Sequence, residues 1–441
     1  MERTFQPYLE AVAGLDPARI SGRVRRVVGL VAECEGLSAP VGAVCEIRPF
    51  QGLPLRAEVV GFREEATLLM PLGEVSGVRR GDDVTCLQTT QRVAVGDDLL
   101  GRVIDAEGNP LDGGSAPVLD HSKPLFGRAP SPLDRDRILE PFQTGVRAID
   151  AFHTCGRGQR VGLFSGSGVG KSVLLGMIAR HSSADVLVIA LVGERGREVR
   201  DFLDGHLGPE GRRRSVVVVE TAERPALLRF RAGFVATSIA EHFRDRGRHV
   251  LLVMDTLTRM AHAQREIGLS AGEPPATRGF PPSVFAMLPR LLERAGRSRE
   301  GSITGLYGVL VEGDDLNEPV ADAARSVLDG HLVLSRALAN RGHYPAIDPL
   351  GSVSRVMGDV VTPAHRRAAV RLASLLAVHR DAEDLVNVGA YVRGANPEID
   401  AALAARPAIH EFLRQDMSER AEFGETVRRL AELAARWGAQ P

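Results

Sequence analysis

Hydrophobic and polar positions change their rhythm twice along this chain. Between Ile20 and Leu87 apolar residues fall in short β-branched runs, Val24–Val31, Val41–Ile47, Ala57–Val60, Thr67–Met70 and Asp83–Leu87. Gly, Pro and Asp turns such as Arg79-Arg80-Gly81-Asp82 separate them. Closely spaced strands with turn signals predict a small β-barrel. From Gly145 to about Thr362 the strand-sized runs are continuously apolar: Val161–Phe164, Val186–Val192, Val216–Val219, Val250–Met254, Ile303–Val311 and His331–Leu334. Strands without polar alternation are buried on both faces, as in a parallel sheet of βα units. Helices fill the gaps, among them Ser172–Ala179, Pro225–Phe243 and Ser283–Ala295. After Pro363 the strands stop. Ala364–His379, Ala382–Tyr391, Glu398–Ala405 and Ala408–Trp437 predict helices, with a turn at Gly394-Ala395-Asn396-Pro397.

Two stretches lie outside this pattern. Phe5, Tyr8, Leu9 and Val12 share one helical face before the Gly14–Pro17 break, and read either as a helix docked on its own domain or as a partner-binding arm. Gly96 to Arg137 is rich in Gly, Pro and Asp and predicts a linker. The expected division is an N-terminal arm and barrel assembly domain over 1–92, an α/β domain over 93–362 and a helical domain over 363–441.

Composition narrows the function classes. A length of 441 residues suggests two or three domains with ample core. Lys+Arg 55 against Asp+Glu 56 leaves a net charge of −1, so no bulk basic field recruits nucleic acid or membrane. The four cysteines, Cys34, Cys45, Cys86 and Cys155, have no C-x-x-C spacing and read as reduced core residues. The opening MERTFQPYLEAV lacks a basic-then-apolar order, and no apolar run approaches about 18 residues. A cytosolic or peripheral protein is expected.

The chemistry centres on Arg160 to Ile178, RVGLFSGSGVGKSVLLGMI. A buried strand, a Gly-rich turn and Lys-Ser at a helix start give the phosphate-binding P-loop. Gly166, Ser167, Gly168, Val169 and Gly170 would cradle the phosphates of a nucleoside triphosphate with backbone N–H groups. Lys171 would neutralise β/γ-phosphate charge, and the Ser172 hydroxyl would reach Mg²⁺. Ser165 stands where the motif has its first glycine. Hydrolysis also needs a second metal anchor, a water activator and a cation for the transferring phosphoryl. Asp255 ends the apolar run HVLLVMD and supplies the anchor. Glu194 follows Gly193 at the end of Val186–Val192 and suits water activation, whereas Glu198, one helical turn on, suits pairing with an Arg. Near Tyr344 the chain reads HYPAIDPLGSVSRVMGD. Pro345 and Pro349 stiffen this loop, and Arg355 is either a surface salt-bridge residue or an arginine finger given to a neighbouring subunit. The Arg212-Arg213-Arg214 run reads as a solvated loop, with an acidic-lipid contact as the alternative.

SGSGVGKS, LVGERGREV, VLLVMDTLTR, QREIGLSAGEPPATRGFPPSVFAMLPRLLERAG, VEGDDLNEPVADAARSVLDGHLVLSR and HYPAIDPLGSVSRVM together resemble the flagellar and type III protein-export ATPases. These are similar in turn to the catalytic subunit of rotary ATP synthases. The resemblance runs from about Ile20 to the C-terminus. It implies a RecA-like P-loop core between the barrel and the helical domain. It also implies ATP and Mg²⁺ as cofactors, Glu194 as catalytic carboxylate with Arg195 beside it, and Arg355 as a finger reaching the neighbour's site. Tyr344 would stack on adenine, with the other wall from Phe412–Met417; a core tyrosine is the alternative. A homo-oligomeric ring, a hexamer, is implied. Its partners would be stator or regulator and central stalk proteins, substrate–chaperone complexes and an inner-membrane export gate, which places the ring peripherally at the cytoplasmic face.

Three rival readings differ in testable features. A rotary synthase subunit carries an acidic run on its C-terminal lever, and Tyr391 to Glu398 has none. A nucleic-acid translocase needs an aromatic, basic barrel groove. Residues 20–90 hold only Phe50 and Phe62 as aromatics, beside Arg23, Arg25, Arg26, Arg79 and Arg80. A non-catalytic ring subunit would have no use for Glu194. The segment GLSAPVGAVCEI leans flagellar.

Overall fold

The computed structural model describes residues 20–437 apart from 312 and 314, so the amphipathic stretch over residues 1–18 lies outside the described residues. Six strands, β1 (Ser21–Val28), β2 (Val31–Glu35), β3 (Val44–Arg48), β4 (Leu55–Arg63), β5 (Ala66–Pro71) and β6 (Asp83–Gln88), close into a barrel in the order β1-β2-β5-β4-β3-β6. The run Val24–Val31 is two strands rather than one. Gly29 turns the chain with φ +58°, a left-handed angle that glycine adopts without steric penalty, and β1 pairs back onto β2. Val24, Ala32, Cys34, Ile47, Val59 and Leu69 fill the interior. This barrel, with residues 225–227 and 264–275, forms one compact unit; the rest of the chain forms the other.

The second unit is built on a mostly parallel sheet. Its strands are β7 (Val103–Ile104), β8 (Arg160–Ser165), β9 (Val186–Glu194), β10 (Ser215–Thr221), β11 (His249–Asp255), β12 (Ser302–Leu310), β13 (Gly330–Leu334) and β14 (Val353–Ser354). They lie in the order β14-β13-β8-β12-β11-β9-β10-β7. Only β14 on this path is antiparallel to its neighbour. β9 is buried along almost its whole length, as a continuous Val/Leu/Ile run with helices on both faces should be. The stretch expected to be a linker contributes an edge strand: β7 pairs with β10, and Leu125 is fully buried. Its Gly and Asp residues build turns around that strand, with Asp105 accepting hydrogen bonds from the Glu107 and Asn109 amides.

Helices α1 (Arg147–Phe152), α2 (Lys171–His181), α3 (Gly196–Asp201), α4 (Ala226–Arg244), α5 (Leu257–Ala271), α6 (Pro282–Leu292) and α7 (Pro319–Val327) follow the strands, and α8 (Pro363–Asn387), α9 (Pro397–Leu413) and α10 (Phe423–Arg436) end the described chain. Two expected breaks are absent. The predicted helices 364–379 and 382–391 merge into the single helix α8, which stops at Asn387 short of the predicted end, and α9 runs through Pro407. The predicted helix 408–437 is instead divided by a turn over residues 414–422. Arg214 is a correction to the solvated-loop reading. Its half-buried guanidinium donates to the carbonyls of Ala179 (2.7 Å), Arg180 (3.0 Å) and Ala184 (2.6 Å), so it caps the C-terminus of α2. Among the described residues no helix is long and apolar enough to cross a membrane.

Candidate active site

β8, β11 and β9 end at the same carboxyl edge of the sheet, where α/β folds leave room for a ligand. β8 delivers the glycine-rich loop. Gly168 and Gly170 stand at φ +75° and +91°, left-handed angles that a side chain would strain, and Gly170 is the cap that precedes α2. Lys171, the first residue of α2, pairs its ammonium with the carboxylate of Asp255 at the tip of β11. The Ser172 residue beside it is exposed. Asp255 is 2% exposed, and its space depends on a glycine: a Cβ on Gly308 of β12 would sit 3.0 Å from Asp255 Oδ1.

Glu194 ends β9 after Gly193, whose φ of +70° turns the chain at the strand tip. Burial pushes the Glu194 carboxyl up to about 7, the Asp255 charge pushes the same way, and Lys171 opposes both. Glu198 shares a hydrogen bond with Glu194 that holds its own carboxyl below the usual range, and accepts another from the Arg195 amide at 3.3 Å. Arg195 is exposed and lies 3.8 Å from Glu198, the Arg partner expected for that glutamate. Arg259, one helical turn beyond Asp255 on α5, brings its Nε to 3.3 Å from Glu194 Oε1. Neither atom has a hydrogen-bond partner, although both are buried. A buried carboxylate oxygen with open acceptor capacity can orient a hydrogen-bond donor such as water.

Arg259 was not singled out by sequence reasoning. Its signal was present in VLLVMDTLTR, where an arginine four residues past a strand-end aspartate returns to the same side of the helix start. Gly308 was also missed, because nothing in the sequence says which neighbouring strand faces Asp255.

Tyr344 is 48% exposed, which removes the core-tyrosine alternative, and its ring lies 3.5 Å from where a Gly170 Cβ would stand. Beside it opens a cavity of about 330 Å³ lined by Val173 and Met177 of α2, Leu334, Pro345, Gln415 and Met417. The structure thus brings Tyr344 and part of the 412–417 segment together beside the P-loop; Phe412 itself is buried in the core behind them. Arg355 is set apart. It follows the edge strand β14, is exposed, and anchors only its backbone amide, to the Asp329 carbonyl at 3.0 Å. Among the described residues its guanidinium has no ion pair.

Mg²⁺ fits this donor set. Among the described residues no group of three or more His, Cys, Asp or Glu side chains is arranged to hold a metal. The site offers instead the Ser172 hydroxyl at the start of α2 and the buried carboxylate of Asp255 at the tip of β11. A hard cation that keeps several waters and shares phosphate oxygens needs little more from the protein.

Known proteins match all three parts of the chain. The ATP synthase alpha/beta family, beta-barrel domain, matches residues 24–88, and the nucleotide-binding domain of that family matches residues 145–354. The T3SS EscN ATPase C-terminal domain matches residues 361–432. The flagellum-specific ATP synthase of Bacillus subtilis (strain 168) is 49% identical over 435 residues, 97% of this chain and 98% of that protein. The assembled ATPase EscN of the enteropathogenic E. coli type III secretion system aligns with a TM-score of 0.90 at 46% identity, over 94% of this chain and 100% of that one. EscN in complex with its central stalk EscO aligns at 0.86 and 45% identity, over the same shares.

Proposed function

Since the chain belongs to the ATP synthase alpha/beta family, on its flagellar and type III secretion branch, we propose that it hydrolyses ATP within a ring of identical subunits to energise type III protein export. One observation carries the catalytic part: a buried, unsatisfied carboxylate oxygen of Glu194 stands at the same sheet edge as Lys171 and Asp255. The P-loop amides and Lys171 hold the phosphates. Ser172 and Asp255 would hold Mg²⁺, which supplies charge neutralisation on the β- and γ-phosphates when bound. Glu194 orients the attacking water and takes its proton, and Arg259 steadies the Glu194 carboxylate. Arg195, beside it, faces the solvent side of the site.

The cation missing from one chain is supplied by the next. Arg355 is exposed and unpaired, so it serves as a finger that stabilises the transferring phosphoryl across a subunit contact. That requirement makes a closed homo-oligomer the active unit, a hexamer in our reading. Opening of the interface after hydrolysis swings α8 to α10 and works on a central stalk, by analogy with the EscN–EscO assembly. Substrate–chaperone complexes, a stator or regulator and an export gate at the inner membrane complete the partners, and no nucleic acid is among them. The tip between α8 and α9 exposes Val388 and Val392 and carries no acidic run, which supports export over synthesis. The flagellar system is our choice, on the GLSAPVGAVCEI segment.

Subunit mixing tests the shared site. Glu194→Gln and Arg355→Ala chains should each be nearly inactive in phosphate release. Mixed rings contain interfaces with both residues intact and should recover part of the turnover. Absence of recovery, with mixing demonstrated, overturns the shared-site mechanism.

A further inference from the structure

Beyond the phosphate chemistry, one buried amide borders the cavity beside Tyr344. Gln415 follows α9 and is 6% exposed. Its Oε1 accepts from the Arg147 amide at 2.8 Å. Its Nε2 donates to the Gly145 and Glu419 carbonyls, both at 2.8 Å. Its own amide donates to the Tyr344 carbonyl at 3.0 Å. One residue therefore ties three segments: the turn before α1, the Tyr344 loop and the 415–421 turn that carries Met417.

The turn it grips is itself fixed. Asp150 is fully buried and accepts from the Thr144 amide (2.9 Å), the Thr144 hydroxyl (2.7 Å) and the Gly145 amide (3.0 Å). Gly145 is pressed against the end of α2, since a Cβ there would lie 2.5 Å from His181 Cβ. Arg147, 5% exposed, pairs with Glu419 at 2.6 Å and donates to the Arg414 carbonyl at 3.2 Å. Both donors of the Gln415 side chain are consumed by backbone carbonyls, so it has no N–H left for a base. Asp416, the neighbouring polar residue of the cavity wall, is likewise turned to the Ser418 amide and hydroxyl.

We infer that Gln415 is a positioning residue for the nucleobase, holding Tyr344 and Met417 at the spacing that grips it. This rests on the ATPase reading above and adds to it a positioning element that does not touch the phosphates.

The test separates base from phosphate. Gln415→Met keeps the volume and removes every side-chain hydrogen bond; Gln415→Glu keeps the acceptor and loses both donors. Each should raise the KM for Mg·ATP about tenfold, the scale of a lost buried hydrogen bond, with kcat within about twofold. Inhibition by inorganic tripolyphosphate, which has no base, should be unchanged. An unchanged KM, or a tripolyphosphate constant that rises in parallel, overturns the inference. If the variants do not fold, hydrogen exchange on the unaltered protein decides: ADP should slow exchange at the Arg147 and Gln415 amides and tripolyphosphate should not, and equal protection by both refutes it. If the unaltered protein releases no phosphate from ATP, the ATPase reading fails instead, while the exchange comparison still judges the tie.

Discussion

Replacing Glu194 by Gln should cost the protein its hydrolysis and make it more stable. Glu194 is largely buried, and its carboxyl is raised from the ordinary 4.5 to about 7, first by burial and then by the Asp255 charge. Below pH 4.5 the folded and unfolded chains both carry the proton. Between 4.5 and 7 the unfolded chain releases it while the folded chain retains it, so the folded state loses ground as pH rises, and above about 7 the penalty is complete. A shift of that size corresponds to about 3.4 kcal/mol. Screening by water at the partly open strand tip brings this to about 2 kcal/mol. Glutamine has no charge to bury. In nucleotide- and metal-free protein, urea unfolding should show Glu194→Gln more stable by about 2 kcal/mol at pH 8 and indistinguishable near pH 4.5. The same ionisation governs activity. The kcat/KM of the unaltered enzyme, which reports the free enzyme, should rise about tenfold between pH 6 and pH 8. The variant should lose a factor of about 10²–10⁴ in kcat and lack that limb. A variant less stable at pH 8, or a flat wild-type profile across this range, refutes the reasoning.

Other expectations address the walls of the site. Gly308→Ala places a methyl 3.0 Å from Asp255 Oδ1 and 3.3 Å from the Met254 carbonyl. The displaced carboxylate should raise the Mg²⁺ concentration needed for half-maximal activity and lower kcat by about tenfold, with a stability loss of about 1–3 kcal/mol in unfolding. Tyr344→Ala should raise the KM for ATP by about 5- to 100-fold through lost stacking on the base, while Tyr344→Phe should keep the wild-type value.

Strands read correctly from the sequence where burial on both faces left an unbroken apolar run, as in β9 and β11. They were misread where a single residue decided the outcome. Gly29 split one apparent strand into two, and Val103-Ile104 was too short a run to register within a Gly- and Asp-rich stretch, although pairing with β10 makes it the sheet's edge. The helix expected to end at Ala405 instead continues as α9 through Pro407 to Leu413. The site divides along the same line. Lys171, Ser172, Asp255 and Glu194 stand at motif positions or strand ends, which sequence order displays. Arg259, Gly308 and Gln415 act through partners that only the sheet order and the docking of α9 bring near. Arg214 looked like part of a charge run until the carbonyls at the end of α2 gave it partners.

The pairing of Lys171 with Asp255 has a consequence for what could bind between them. An ammonium and a carboxylate clasp one another there, each satisfying the other away from bulk water. A bare metal ion would free the lysine and leave it without a counterion, and a metal-free polyphosphate would do the same to the aspartate. A visitor bearing both signs at once, such as a metal–nucleotide complex, would part the two without stranding either.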